Sequence, residues 1–365
     1  MRKNYKLLFY IFVVSALAFG FFHHLVPAGS KPDFLRLHIF WFNLLSGGCL
    51  ILYRATGGFG RPHALFFPAA LAFSLFAAFD LYIPSIACAL FLSGVVESVR
   101  IRRFSLFPMN FFTRAPVSEK FVQASLLCLS IGLALSALAM ANQSFGHWFS
   151  AEKFSLNTFF LGFSFPVSLI TFSLIMAGMQ NPSRLQVLAQ NAVFWVLNLG
   201  VITFFLFILS GAKGLQIAVS VLLTAGVLCA LVLYSRLCPP GQPKAILTSG
   251  MAFLLATAVS GIIYIIAEYF PPEAFPGELT MRLHAFVSLF GWNLSGLLVI
   301  ARFEAFPLRL SPAWLISSHW TAVMLLCPLG FLFPASALTA VALFALFLGV
   351  ALFSLPAAPV PDASR

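Results

Sequence analysis

LAQNAVFWVLNLGVITFFLFILS, residues 188–210, runs for 23 residues without one acidic or basic side chain. At about 1.5 Å of rise per residue, a helix of that length spans the roughly 30 Å of hydrocarbon in a bilayer. The stretch has side-chain polar atoms only at Gln190, Asn191, Trp195, Asn198, Thr203 and Ser210, so no continuous polar face could meet water. It reads as a membrane span.

The same reading repeats in both directions. Apolar runs bounded by charge, proline and glycine lie near 6–26, 35–53, 63–80, 82–100, 121–141, 157–180, 188–210, 214–235, 245–267, 281–301, 313–332 and 334–355. They predict about twelve spans. Two of the breaks are short, at Leu81 and at Pro334, and merging across them would leave ten. Of the 365 residues 61% are hydrophobic and 8% charged, with a mean hydropathy of +0.99. Soluble domains carry charge on about a quarter of their residues. The predicted fold class is all-α, a polytopic transmembrane helix bundle forming a single transmembrane domain over 1–365.

The basic residues give the bundle a direction. With the N-terminus inside, sixteen of the 21 fall in loops on that side; Lys31, Arg36, Lys153, Lys213 and Arg282 fall on the other. Short loops rich in Lys and Arg stay in the cytoplasm. Both termini are therefore expected to be cytoplasmic, in an inner (cytoplasmic) membrane, with even-numbered helices running from outside to inside. Arg2, Lys3 and Lys6 ahead of Leu7–Phe22 also resemble a signal-peptide layout. No A-x-A site follows, so the first span is expected to stay as an anchor.

The net charge of +11 is spread over these short loops rather than gathered in a patch, which argues against nucleic acid and leaves the lipid bilayer as the partner. The longest polar stretch, Arg100–Lys120, mixes arginine with phenylalanine and proline. It reads either as a cytoplasmic interfacial segment or as a plain basic loop. Residues 356–365 form a short tail. The six cysteines are scattered, without a C-x-x-C pair, and read as small apolar packing residues.

Inside a membrane the informative residues are the polar ones. The second span opens Arg36-Leu37-His38-Ile39-Phe40 and the tenth Arg282-Leu283-His284-Ala285-Phe286, so R-L-H-x-F occurs twice. Both spans enter from outside, which sets His38 and His284 at nearly the same depth. Small residues follow each, Ser46-Gly47-Gly48 in one and Ser288, Gly291 and Ser295-Gly296 in the other. Two imidazoles at matched depth on helices with small-residue grooves are what axial ligation of one haem b requires. Arg36 and Arg282 would then be cations for its propionates or for headgroups. The alternatives are that both histidines are interface anchors or serve a metal or proton-relay role.

Twelve spans with both termini inside and histidines on spans 2 and 10 resemble the catalytic subunit of haem-copper oxidases and their NnrS-type relatives. Leu283-His284-Ala285-Phe286-Val287-Ser288-Leu289-Phe290-Gly291-Trp292 is similar to the tenth helix of some of these proteins. The resemblance implies a low-spin haem held from helices 2 and 10. The family's helix 10 carries H-x-H, whereas here Phe286 stands two places after His284. Copper B needs histidines on helices 6 and 7, and Asn157–Gln180 and Leu188–Ser210 contain none. The resemblance thus implies a member with at most one haem, for electron transfer or small-gas sensing, with an unidentified redox partner.

Other classes leave fewer marks. No acidic residue lies mid-span, which disfavours an ion-coupled transporter, but a transporter or flippase of an uncharged or lipidic substrate stays open. So does a scaffold subunit of a membrane complex. G-x-x-x-x-G-K-[ST], H-E-x-x-H and G-x-S-x-G do not occur, which disfavours nucleotide-driven or hydrolytic enzymes. Glu97 is expected to pair with Arg100 at i, i+3. Asp80 and Glu268 are expected at outer helix ends and His147 in an outer loop. Asn191 and Asn198 are expected to bond across helices.

Overall fold

The structure is a computed structural model describing every residue except 2, 28, 147–150, 268, 271–276 and 358–365, and excluding the side chains of 151–157, 159–161, 277 and 278. The expectations for His147, Glu268, Arg2, the Lys153 side chain and the last eight residues of the tail lie outside the described residues.

Twelve helices follow one another: α1 Lys3–Leu25, α2 Phe34–Thr56, α3 Arg61–Ala78, α4 Tyr82–Arg103, α5 Val117–Gly146, α6 Ala151–Gly178, α7 Arg184–Ser210, α8 Lys213–Leu237, α9 Gln242–Ala267, α10 Leu279–Ala305, α11 Pro312–Leu332 and α12 Pro334–Phe353. Eleven are long and apolar enough to cross a membrane; α6 is counted only over its shorter apolar part, Gly162–Gly178. Helix accounts for 86% of the chain, and the described residues form no strand. The helices mostly outrun the apolar stretches by about a turn, because polar residues near helix ends continue the backbone pattern.

Local chemistry sets the ends. Asp33 accepts from the Arg36 N–H at 3.1 Å to start α2. Ser183 and Gln186 form a reciprocal cap on α7. Gly57 and Gly211, at φ of 72° and 71°, end α2 and α7 in the left-handed conformation that glycine adopts without a Cβ clash. The short break at Leu81 is a true turn, in which Asp80 takes φ 56° and the Leu81 N–H donates to the Phe76 carbonyl at 2.8 Å.

α2 and α10 form the centre, each 78% buried over its apolar window, against 28–39% for α1, α3, α4, α7, α8, α9, α11 and α12. Small residues allow this packing. A methyl group at Gly47 would meet Val167 of α6 at 2.5 Å, one at Gly48 would meet Phe66 of α3, and one at Gly291 would meet Phe253 of α9. Gly296 is covered by Thr171 and Gly250 by Ser295. The small-residue grooves expected to admit a cofactor are thus filled by neighbouring helices, as in other membrane bundles.

The start of α1 and the end of α12 lie at one end of the bundle. The buried Arg302 at the foot of α10 donates to the Leu352 and Ser354 carbonyls at 2.8 and 2.5 Å. The Tyr5 ring of α1 stacks on Phe59 at 3.7 Å. The Arg100–Lys120 stretch lies at this end too: Arg103 pairs with Glu119 at 2.8 Å and donates to the Ala55 carbonyl. Its ends are helical, as the last turn of α4 and the first of α5, and Phe107, Met109 and Phe112 between them are exposed. Glu97 pairs with Arg100 as expected and also accepts from Ser130. Asn191 accepts from Lys120 across helices at 2.8 Å, whereas Asn198 donates within its own helix, to the Phe194 carbonyl.

Candidate functional site

His38 is buried on α2, and its Nδ1–H donates to the Ala16 carbonyl of α1 at 2.7 Å. Gly20 makes room for it, since a methyl there would meet Nδ1 at 2.8 Å. The other face of the imidazole lies 5.8 Å from the Phe286 ring, near parallel, and 5.7 Å from Phe290. His284 is held from elsewhere. Its Nδ1–H donates to the Thr257 carbonyl of α9 at 3.0 Å, and Gly261 of α9 clears space for its ring.

In a neutral imidazole whose Nδ1 carries the hydrogen, Nε2 keeps its lone pair, as a metal ligand requires. Both rings meet that condition. They do not, however, face one another. Positions i and i+2 lie about 200° apart around a helix. The α10 residue turned toward His38 is therefore Phe286, and His284 points away to α9. Phe290 packs on Phe42 at 4.9 Å and on Phe344 at 5.4 Å, and Phe286 packs on Phe21 and Phe331. Phenylalanines fill the space beside His38, and in this packing the pair does not fit a shared haem iron.

The arginines also turn elsewhere. Arg36 bonds Asp80 at 2.6 Å, Asp33 at 3.2 Å and the Ala77 carbonyl at 2.6 Å, fastening α2 to the α3–α4 turn. Lys31 completes that cluster. Burial raises the Asp80 carboxyl, but hydrogen bonds from Lys31 and Arg36, the Arg36 charge and the Tyr82 hydroxyl outweigh it and hold the group below the usual carboxylate range. Arg282 lies over the Phe331 ring at 5.5 Å.

A different feature has the form of a ligand site. At the end holding the start of α1 and the end of α12, α1, α2 and α3 enclose a cavity of about 380 Å³ walled by Phe9, Phe12, Phe59 and Phe67. Leu8 of α1, Ala64 and Pro68 of α3 and Gly60 just before α3 are exposed in its lining, so its mouth lies between α1 and the first turns of α3. Among the described residues no Asp, Glu, Lys or Arg side chain lines it, and the Met1 ammonium in its lining is paired with Glu304 at 3.3 Å. Its polar groups include Ser46, Cys49 and His63.

His63 is 5% exposed. Its Nδ1 accepts from the Gly60 N–H at 3.3 Å, so the neutral ring carries its hydrogen on Nε2. The Cys49 carbonyl lies beside the ring, yet Nε2 completes no hydrogen bond among the described residues. In the sequence His63 is a lone histidine at the edge of the third apolar run. Nothing in its local pattern shows that three helices close a chamber around it.

A second omission is Phe42-Asn43-Leu44 on α2, echoed by Trp292-Asn293-Leu294 on α10. Both asparagines are fully buried. Asn293 accepts from Ser168 of α6 at 2.9 Å, and Ser168 also accepts from the Trp292 indole N–H at 2.9 Å. The Asn43 amide has no partner among the described residues. Compared with known proteins, the sequence matches no family model and no curated protein.

Proposed function

We propose that this multi-pass membrane protein binds an uncharged, lipid-phase molecule, entering sideways between α1 and α3, as a transporter or flippase of an uncharged or lipidic substrate would. The observation that carries the reading is the 380 Å³ cavity, mostly apolar and, among the described residues, free of charged side chains, with exposed apolar residues on its rim and one buried donor that completes no hydrogen bond. Small-molecule sites have this volume and this mix of apolar walls with few polar groups. The test is saturable binding of a lipid-soluble fluorescent aromatic such as 1-aminoanthracene to the purified protein. Ala64→Trp, on the exposed rim, is expected to abolish it. Binding that never saturates, or that is indifferent to Ala64→Trp, overturns the reading.

A second reading is haem b ligation by His38 and His284, for electron transfer or small-gas handling. The Nδ1–H anchoring of both rings favours it; Phe286 and Phe290 would have to leave the space beside His38. A reduced-minus-oxidised spectrum decides. A b-type band lost in His38→Ala and in His284→Ala supports haem, and a colourless protein expressed with ample haem ends that reading.

A further inference from the structure

We propose that the ligand of the lateral cavity is an isoprenoid quinone, seated with one ring carbonyl on His63. This rests on the cavity being a ligand site, and it names the class of molecule. The polar geometry selects an acceptor. Because the Gly60 N–H occupies Nδ1, the buried Nε2–H of His63 is a donor left without a good partner, and a buried unsatisfied donor costs free energy that a ligand oxygen relieves. A hydrocarbon leaves this donor unmet.

The walls select a flat, uncharged head. Phe12, Phe59 and Phe67 present ring faces or edges, and Phe59 is itself locked between Tyr5, at 3.7 Å, and the His63 ring, at 4.7 Å. Offset and edge-on ring contacts of this kind suit a planar guest. Among the described residues the one formal cation in the lining, the Met1 ammonium, is already paired with Glu304 at 3.3 Å, which leaves a phosphate headgroup without a free counter-charge. The mouth selects a tail, since Leu8, Ala64 and Pro68 form an apolar rim on the outer surface of the bundle. A long prenyl chain could leave there into lipid without crossing water. A quinone meets all three conditions with one molecule: carbonyl acceptor, planar neutral ring and apolar tail.

The experiment is equilibrium binding of decylubiquinone and, separately, of decylbenzene, which shares the tail but has no carbonyl, to the full chain in lipid nanodiscs. Wild type is expected to bind the quinone saturably and at least about tenfold more tightly than decylbenzene, one hydrogen bond to a buried donor being the difference. His63→Phe should remove that preference, His63→Gln, which retains an N–H donor, should keep most of it, and Ala64→Trp should abolish both. Equal affinity for the two compounds, or a quinone affinity unchanged in His63→Phe, overturns the quinone assignment while leaving a cavity for lipid-phase molecules. Saturable binding of neither overturns the assignment and the cavity reading together.

Discussion

At the residue scale, His38, His63, His284 and His319 differ in which nitrogen carries the hydrogen, and that difference sorts their chemistry. His38 and His284 donate from Nδ1 to the Ala16 and Thr257 carbonyls; His319 donates from Nε2 to the Phe290 carbonyl at 2.5 Å; His63 accepts at Nδ1. Of these four, only His63 lies beside the cavity with an N–H that, despite the nearby Cys49 carbonyl, completes no hydrogen bond among the described residues. Asp80 is the residue whose protonation bears most directly on stability. Its folded-state affinity for a proton is depressed, so its contribution is present above the ordinary carboxylate pKa and is lost as pH falls through the lower folded value. Wild-type stability is thus expected to fall as pH drops below about 4. Asp80→Asn, which tolerates the left-handed backbone at φ 56°, should lose about 1–2 kcal/mol at neutral pH and flatten that acid dependence. Unfolding in detergent across pH measures both, and an Asp80→Asn profile parallel to wild type would contradict the assignment.

At the element scale, the central helices are not regular α-helices throughout. α2 is π-helical over Phe40–Gly47, α10 over Val287–Asn293 and α11 over Thr321–Leu326, each stretch beginning a few residues after a histidine. A π-turn shifts the register of side chains and leaves carbonyls for other donors. On α10 one such carbonyl, that of Phe290, receives the His319 Nε2–H from α11, while His319 stacks on Phe347 of α12 at 5.1 Å. This single imidazole ties three helices. His319→Leu keeps the volume but strands the carbonyl in the bundle interior, and is expected to cost about 1–3 kcal/mol. The denaturation midpoint of the purified variant is the readout; a midpoint equal to wild type would show that the contact does not hold α10 to α11.

At the scale of the whole molecule, twelve consecutive helices among the described residues bring Lys3 and Phe353 to the same end, where Arg302, Arg103 and the buried Lys120 bind backbone carbonyls between elements. The loops at this end hold most of the basic residues, and basic loops resist translocation. A fluorescent protein fused after the C-terminus is expected to fluoresce, and alkaline phosphatase fused there to be inactive, with the opposite pattern for fusions in the loop between α3 and α4. Active phosphatase at the C-terminus would invert the orientation.

The span pattern was legible in the sequence because a bilayer leaves a chain few choices. Runs such as 188–210 cannot satisfy their backbone groups in hydrocarbon except as helices, so twelve apolar runs became twelve helices in order. Glu97 with Arg100, three residues apart on one helix, was legible for the same local reason. The site was not. R-L-H-x-F gave matched depth on α2 and α10 but not the direction of the side chains around the helix axes, and that direction, set by packing against α1 and α9, turned His284 away and set Phe286 opposite His38. Nor could local sequence bring Phe12, Cys49 and His63 around one cavity, because they lie on three helices whose spacing is decided only when the small residues of the bundle let those helices meet.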